Sequence, residues 1–564
     1  MSALRPSPSP RFLLDSPSTM SSSTDSPSSV PVFVVGGGPV GLALALLLDR
    51  FEIPFVVVER SPSTTVHPKS RGCWPRTMEL FRLWGIEEQV RARGLGDGAD
   101  VFAFVESMAG REIGRTMPEP DVSHHTPARK SFVAQDAVEE ELYAVARHSR
   151  HGRILFSTEC TGFELMDEGV IVDTRNVETG ATQQWRASYL LAADGAGSSV
   201  RRQLGIEFDG PSTIAIMAND YWRADLSRLP VARQAAMIRI LPTDPAVPPA
   251  TILNTNGRDR WLTVSQIGHT EDERDHPWTD QEVIEIARAH TGIADLDVQI
   301  INRSTWRVSR QVARQFRRGR AFLVGDAAHR FPPTGGFGLN SGVQDAHNLV
   351  WKLALVLQGR ATDALLDTYE AERRPVAVSN ADFSFLNRKR FDLLADAVES
   401  GNEDRCAFWI TDTDNHLHSI GQSLGFSYES AAIVPDGTVA KPLNPRVYEP
   451  ADRPGGRFPH AWLDAARRHS TLDWFDRRFV LVAGPLGQAW EAAAARAADA
   501  AGVPIDFRQL PSIDPASGIR MGMRGAALVR PDGHVCYRAA WTPDDPAAEL
   551  TAVMAQVLGK ARAS

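Results

Sequence analysis

Cysteine is scarce in this 564-residue chain: Cys73, Cys160, Cys406 and Cys536 stand far apart, with no CxxC pair. Neither a local zinc site nor a dithiol redox centre can be built from them, so no metal site is expected, and isolated reduced thiols fit a cytoplasmic protein. Long apolar runs are missing too, none reaching the roughly 18 residues needed to span a bilayer. Nor is there a surplus of positive charge. The 61 Lys and Arg against 69 Asp and Glu leave a formal net charge of −8, which favours solubility and argues against a nucleic-acid partner. The first 30 residues are dominated by Ser and Pro, with almost no apolar content beyond Phe12-Leu13-Leu14. Such a segment cannot bury enough surface to offset its ordering entropy, and it lacks the unbroken apolar stretch of a secretory signal. Residues 1–30 are therefore expected to be a disordered tail, with Met20 as an alternative start.

What is present is ordinary for a globular protein, 43% hydrophobic and 23% charged residues, in a length that calls for two or three domains. Val32-Phe33-Val34-Val35 is a β-rich run followed directly by Gly36-Gly37-Gly38-Pro39-Val40-Gly41. An Ala- and Leu-rich helix then runs to about Leu48, and a turn at Glu52-Ile53-Pro54 leads into a second strand, Phe55-Val56-Val57-Val58, ending in Glu59. A G-x-G-x-x-G turn inside a βαβ unit, with an acid about 20 residues on, is the dinucleotide fingerprint. Gly36 permits the tight turn, Gly38 lets backbone approach a pyrophosphate, and Gly41 lets the helix pack close to the strand. The helix N-terminus offers unpaired N–H groups to the phosphates, and Glu59 can accept from ribose hydroxyls. These residues point to a nucleotide and leave open which one.

Far downstream, Phe322-Leu323-Val324-Gly325-Asp326-Ala327-Ala328-His329 is followed by Pro332-Pro333-Thr334-Gly335-Gly336-Phe337-Gly338-Leu339-Asn340. An apolar strand ends in Gly-Asp, passes a Pro/Gly loop and opens a helix with Val343, Ala346, Val350, Leu353 and Leu357 on one face, stopping at Gly359. This segment closely resembles the GD motif of the single-component, class A aromatic flavoprotein monooxygenases, the family of para-hydroxybenzoate and phenol hydroxylases. The resemblance makes the cofactor FAD. It puts Asp326 beside the ribityl and pyrophosphate region and the amides of Gly338, Leu339 and Asn340 at the flavin pyrimidine edge, with Pro333 and Gly336 in the same loop. A helix N-terminus aimed there stabilises the negative charge of reduced flavin.

Between the two motifs, Leu190-Leu191-Ala192-Ala193-Asp194-Gly195-Ala196-Gly197-Ser198 resembles the family's DG motif, which places Asp194 and Gly195 beside the FAD phosphates and NAD(P)H nearby. Smaller matches add Arg76 near the flavin phosphates and Gln135 as a flavin contact, and Pro39, Val40 and Arg60 complete the expected FAD set. Leu366 to Pro375 matches a family segment expected to serve packing and ion pairing. Trp74, in an uncommon Cys-Trp pair, is expected to fill core rather than to stack on flavin.

The fold implied is α/β: a Rossmann-type FAD-binding domain (31–207 and 308–390) with an inserted β-sheet substrate domain (208–307), plus a C-terminal thioredoxin-like α/β domain (458–564). A helical connection (391–425) and a linker (426–457) join them. Alternating segments around Trp261 and Val298 read as half-buried strands, and Tyr221, Trp222, Arg223, Trp261, His269 and Trp306 are candidate pocket residues. Of these, Tyr221, Arg223 and His269 are the candidates for a catalytic role, and no catalytic base is identified. In the last third, Phe479–Ala483 and residues 505–507 read as strands, 488–501 as a helix, and Pro531-Asp532-Gly533 as a hairpin turn. Without CxxC this domain is not expected to be redox-active, and stability or contacts in a homodimer are its plainer roles.

The function implied is hydroxylation of an electron-rich aromatic ring, with a bulky polycyclic or polyketide-type phenol favoured. NAD(P)H would reduce FAD, O2 would add at flavin C4a, and the activated phenol would take the terminal oxygen. A Baeyer–Villiger or epoxidising oxygenase on the same scaffold, and a non-oxygenating flavin-binding protein, stay open as alternatives. A halogenase would bring a Trp-x-Trp-x-Ile-Pro signature, which the sequence lacks. The expected partners are an aromatic small molecule, no nucleic acid and no membrane.

Overall fold

A computed structural model describes residues 28–96 and 98–560 of the chain. The expected tail thus lies outside the described residues except for its last three, which already belong to the first strand, Ser28–Val35. That strand sits at the centre of a sheet ordered Arg317–Arg318, Ala321–Leu323, Thr182–Ala192, Ser28–Val35, Phe55–Val58, Gly152–Leu155. Four of the five pairings in this order are parallel, the exception being Arg317–Arg318 with Ala321–Leu323. Strands buried on both faces read as unbroken apolar runs, which is why Val32–Val35 and Phe55–Val58 show no polar alternation. The register decides where the chemistry sits. Val35 pairs with Val58 and with Ala192, and Ala192 with Leu323, so four strands end level at one edge. Gly36, Glu59, Asp194 and Gly325–Asp326 all emerge there, in the crevice outside the carboxyl ends of a parallel sheet.

A second, seven-stranded sheet has the order Gln299–Val308, Ala215–Arg223, Arg260–Gly268, Ala250–Asn254, Ala235–Ile240, Val101–Val105, Glu112–Arg115. Its last two strands come from the segment assigned above to the FAD-binding domain. The substrate sheet is therefore not confined to 208–307: Val101–Val105 pairs in parallel with Ala235–Ile240 and completes it. The helix Asp280–Thr291 covers one face, and the 36-residue helix Ala364–Glu399 passes the other.

In the C-terminal domain the order is Ile505–Gln509, Phe479–Ala483, Ala526–Val529, Val535–Ala539, with the first pair parallel across the helix Ala489–Ala501 and the others antiparallel. This is the thioredoxin-like arrangement. The stretch 426–457 does not behave as a free linker: Tyr428, Ala432, Ile433 and Tyr448 are buried, and Tyr428 stacks on His534 at 4.1 Å. Side-chain contacts of this kind are invisible to a reading that scores only Ser, Pro and Gly. Among the described residues no helix is long and apolar enough to cross a membrane, and no cluster of His, Cys, Asp and Glu could hold a metal ion.

Candidate functional site

The three glycines of the first turn are required for three different reasons. Gly36 has φ +104°, and a Cβ there would stand 2.3 Å from the Ala193 carbonyl oxygen. A Cβ at Gly41 would stand 1.8 Å from the Gly36 carbonyl oxygen, so helix and turn could not pack. A Cβ at Gly38 would meet nothing within 4 Å; it faces open space. The helix Pro39–Arg50 begins at Gly38 with no side-chain cap and no acid in its first turn. The same holds for Phe337–Leu357, which begins at Gly336 in the left-handed region, φ +67°. Val40 joins these two uncapped N-termini, lying against Gly325 and Gly342, so their free N–H groups converge on one crevice.

Acidic groups line the same crevice. Glu59 accepts from the Gly37 amide at 2.7 Å and the Ser61 amide at 2.8 Å. Asp194 accepts from the Val200 amide with one oxygen, while the other is buried without a partner. Asp326 is open to solvent inside the recess, and no described residue donates a hydrogen bond to it. Desolvation by the surrounding walls raises its pKa, opposed by His329, Arg330 and Lys69. An unpartnered carboxylate, an orphaned carboxylate oxygen, two free helix N-termini and open space over Gly38 together fit a dinucleotide with hydroxyls and a pyrophosphate.

The loop 332–340 is held from beneath. Trp74 donates its indole N–H to the Gly335 carbonyl at 2.7 Å and packs against Phe132 and Phe337, so it fills core next to the loop. Asn340 is buried: its Oδ1 accepts from the Trp74 amide at 2.8 Å, and its Nδ2 donates to the Gly72 and Gly336 carbonyls. Its side chain is thus a staple with both donors spent on the backbone. The amides left free by the helix are those of Phe337, Gly338 and Leu339. Pro333 is exposed at the rim, where its carbonyl accepts from the Gly336 amide. Gln135 donates to Glu139, which in turn accepts from the Thr65 amide and fixes the 60–70 loop. Arg60 is exposed on that loop, beside Glu59.

Arg76 is a correction. Its guanidinium is buried, bonded to Glu79 at 2.9 Å and to the Asp532 carbonyl of the C-terminal domain at 2.6 Å, so it is spent on the domain contact rather than turned to the crevice. The neighbouring Arg71, which the sequence reading passed over, donates to the Asn254 carbonyl, lies over the Phe132 ring and has no carboxylate within ion-pair distance among the described residues. Desolvation lowers its pKa to about 9. A half-buried cation without a counter-charge is the signal that marks it, and only a structure supplies that signal.

On the substrate sheet, alternation along Ala215–Arg223 sorts the candidates by face. Tyr221 is buried edge-on to His67, a residue of the 60–70 loop. His67 Nδ1 donates to Asn302 Oδ1 at 2.5 Å and its Nε2 accepts from Asn219 at 3.2 Å; burial lowers its pKa, so the ring is neutral. Trp306 donates to Asn219 on this same face. Trp222 and Trp261 point the other way, into the core beneath the helix Asp280–Thr291. Arg223 is exposed and ion-paired with Asp259. His269 is exposed at the far end of its strand, against Gln266 and Ile214. Neither of these two reaches the crevice. Arg223, Arg233, Arg258 and Arg260 line a separate cavity of about 620 Å³ at the outer end of the sheet.

Beside the Asp194–Gly195 turn lies a cationic rim. Arg201 and Arg330 sandwich the Phe208 ring at 4.2 and 4.6 Å, with Arg202 adjacent, and none of the three has a carboxylate partner among the described residues. Desolvation lowers the Arg330 pKa to about 10, and Arg201 pushes it the same way.

Comparison with known proteins places this geometry. Residues 29–384 match the family model described as FAD binding domain, and residues 451–561 match aromatic-ring hydroxylase, C-terminal. Tetracenomycin A2 monooxygenase-dioxygenase of Streptomyces glaucescens is 36% identical over 95% of this chain and 98% of its own length. 4-Methyl-5-nitrocatechol 5-monooxygenase of a Burkholderia species is 35% identical over 94% of this chain and 97% of its own. Among solved structures, the flavin-dependent monooxygenase PieE in complex with FAD and substrate superposes with a TM-score of 0.87 at 33% identity, covering 95% of this chain and all of PieE. A ternary complex of aklavinone-11 hydroxylase with FAD and aklavinone gives 0.81 at 32% identity, over 95% of this chain and all of that one.

Proposed function

Since the chain belongs to the FAD-dependent aromatic-ring monooxygenases, we propose that it hydroxylates a polycyclic phenol of the polyketide type. The observation that carries this is the aromatic layer between the 332–340 loop and the substrate sheet. Trp74, Phe102, Phe104, Phe132, Phe337 and Phe383 form one buried cluster there, and flat aromatic faces of this kind suit a molecule of several fused rings. Relatives named for tetracenomycin and aklavinone support the same reading. The alternatives of Baeyer–Villiger oxidation, epoxidation and a flavin protein without oxygenation gain no support from these relatives.

In this reading Gly36, Gly38 and Gly41, with Pro39 and Val40, hold the FAD pyrophosphate. Glu59 takes the adenosine ribose and Asp194 and Asp326 the phosphate–ribityl stretch. The amides of Gly338 and Leu339 face the flavin edge, and Arg71 and Gln135 approach it from the sheet side. Bound FAD, reduced by NAD(P)H, supplies the activated oxygen. The chain's own part is to orient the ring, keep water out and hold His67 as a neutral acceptor and donor. The cationic rim of Arg201, Arg202 and Arg330 takes the phosphates of NAD(P)H. Four free cysteines among the described residues support a reducing, cytoplasmic setting.

The test is NAD(P)H oxidation by the FAD-loaded protein, followed together with hydroxylated product, across phenol, naphthols and hydroxyanthraquinones. Coupled turnover rising with ring number is expected. Stimulation by phenol alone would overturn the polycyclic assignment, and no stimulation by any aromatic would overturn the hydroxylase reading for this chain.

A further inference from the structure

We propose that Arg239 anchors an anionic group, a carboxylate or an ionised enol, at the end of the substrate remote from the flavin. This rests on the reading above and narrows it to an acidic polycyclic aromatic.

Arg239 lies in the middle of the strand Ala235–Ile240. Alternation puts Met237, Arg239 and Leu241 on one face and Ile238 and Ile240 on the other. Met237 and Leu241 belong to the aromatic layer, whereas Ile238 and Ile240 belong to the opposite core, so Arg239 faces the layer. Its neighbours across the sheet are Phe104 on one side and Thr251 on the other. The guanidinium makes one hydrogen bond, from Nη1 to the Thr251 hydroxyl at 3.2 Å. Its Nε is buried with no partner. No carboxylate lies within ion-pair distance among the described residues; the charged groups that act on it are Asp392 and Arg388, both from the long helix. Burial lowers its pKa only to about 10, so it stays a cation at neutral pH.

A half-buried arginine without a counter-charge is costly, the more so as its Nε is fully shielded, and its fork of donors matches a planar carboxylate. The Thr251 hydroxyl uses one of five donors, which leaves the fork free. The histidine that feels its charge, His290, is held neutral by burial with its Nε2 on the Pro248 carbonyl, and so supplies no counter-charge. Position along the strand adds a length requirement. Trp74 beside the flavin loop contacts Phe132, Phe132 contacts Phe102, and Phe104 beside Arg239 stands two residues, ~7 Å, further along its strand. A single ring near the flavin cannot reach Arg239; several fused rings can.

The test uses the FAD-loaded enzyme with anthraquinone-2-carboxylate and its neutral isostere anthraquinone-2-carboxamide, reading affinity from the perturbation of flavin absorbance. The wild type is expected to prefer the acid by roughly 10- to 100-fold, the worth of a charge-assisted pair. Arg239→Met should abolish that preference and Arg239→Lys should keep part of it, with FAD content and melting temperature as controls for folding. For any acidic substrate that turns over, KM should rise in Arg239→Met while kcat changes little. Equal binding of acid and amide by the wild type would overturn the anchor and leave the polycyclic reading standing. An undiminished acid preference in Arg239→Met would overturn it too. If neither probe binds, the polycyclic reading itself fails.

Discussion

Replacing Glu372 by Gln keeps the shape of a buried side chain and deletes its charge, and the consequences can be worked out from its partners. Glu372 is 1% exposed. It accepts from both guanidinium nitrogens of Arg530 at 2.6 and 2.9 Å, from Lys352 at 2.8 Å, from Asn348 at 2.7 Å and from Ser430 at 2.7 Å. The substitution leaves Arg530 with Asp532 but strands Lys352. Breaking a buried pair by removing one partner costs about 3–5 kcal/mol. Lys352 has an escape, since burial already lowers its pKa to about 8. Losing its proton at pH 7 from a folded-state value of about 8 costs only about 1.4 kcal/mol, so neutralisation caps Lys352's own share of the penalty near that figure. The sign of the pH dependence then follows. In the variant the folded state holds neutral Lys352 while the unfolded chain binds a proton, so stability should rise with pH by up to about 1.4 kcal/mol per unit towards pH ~10. In the wild type Lys352 is charged in both states below about 8 and contributes no slope there. Thermal melting of the FAD-loaded proteins between pH 6 and 9 reads both effects. Adding Lys352→Met to the variant should recover the Lys352 share of the loss at pH 7 and flatten the slope. A loss below about 1 kcal/mol with melting curves that stay parallel to the wild type would refute the reasoning.

Gly38→Val should fold, because its side chain enters open space, yet purify without flavin; Gly41→Ala should lose folded yield, because its Cβ meets backbone at 1.8 Å. Asp326→Asn should lower FAD affinity roughly 10- to 100-fold through loss of charged hydrogen bonds, measured as flavin retained on dialysis. Arg330→Gln should raise KM for NAD(P)H several-fold with little change in kcat, and should weaken its salt dependence, because one phosphate-facing cation is gone.

The crevice was legible in the sequence because its parts are local. A tight turn needs glycine, a parallel strand buried on both faces needs an unbroken apolar run, and Val32–Glu59 shows both within one βαβ unit. The Gly325–Asp326 turn and the Asp194–Gly195 turn were legible for the same reason, each following a buried apolar strand end. What failed was everything set by contacts between distant segments. Arg76 carries a family-like local pattern, yet its partner Asp532 lies in another domain. Val101–Val105 is apolar enough for either sheet, and only its pairing with Ala235–Ile240 assigns it to the second.

The pocket residues show the limit most clearly, because strand alternation is informative only once one face has been identified. Tyr221 and Trp222 are adjacent aromatics of a kind favoured in strands, and the sequence cannot say which of them looks at the flavin side. Asn219, bonded to His67, fixes the parity: odd positions of Ala215–Arg223 face the crevice and even ones the outer core. Arg223 has the right parity, yet it stands at the strand end, where it meets Asp259 and water. Arg239 has no aromatic or motif neighbour in sequence to draw attention to it. It gains meaning only because Phe104, more than a hundred residues earlier, lies beside it in the sheet and no carboxylate does. If Arg239 is the anchor proposed above, the choice of substrate here depends on a cation that the second sheet leaves unpaired, a property of packing that local sequence does not encode.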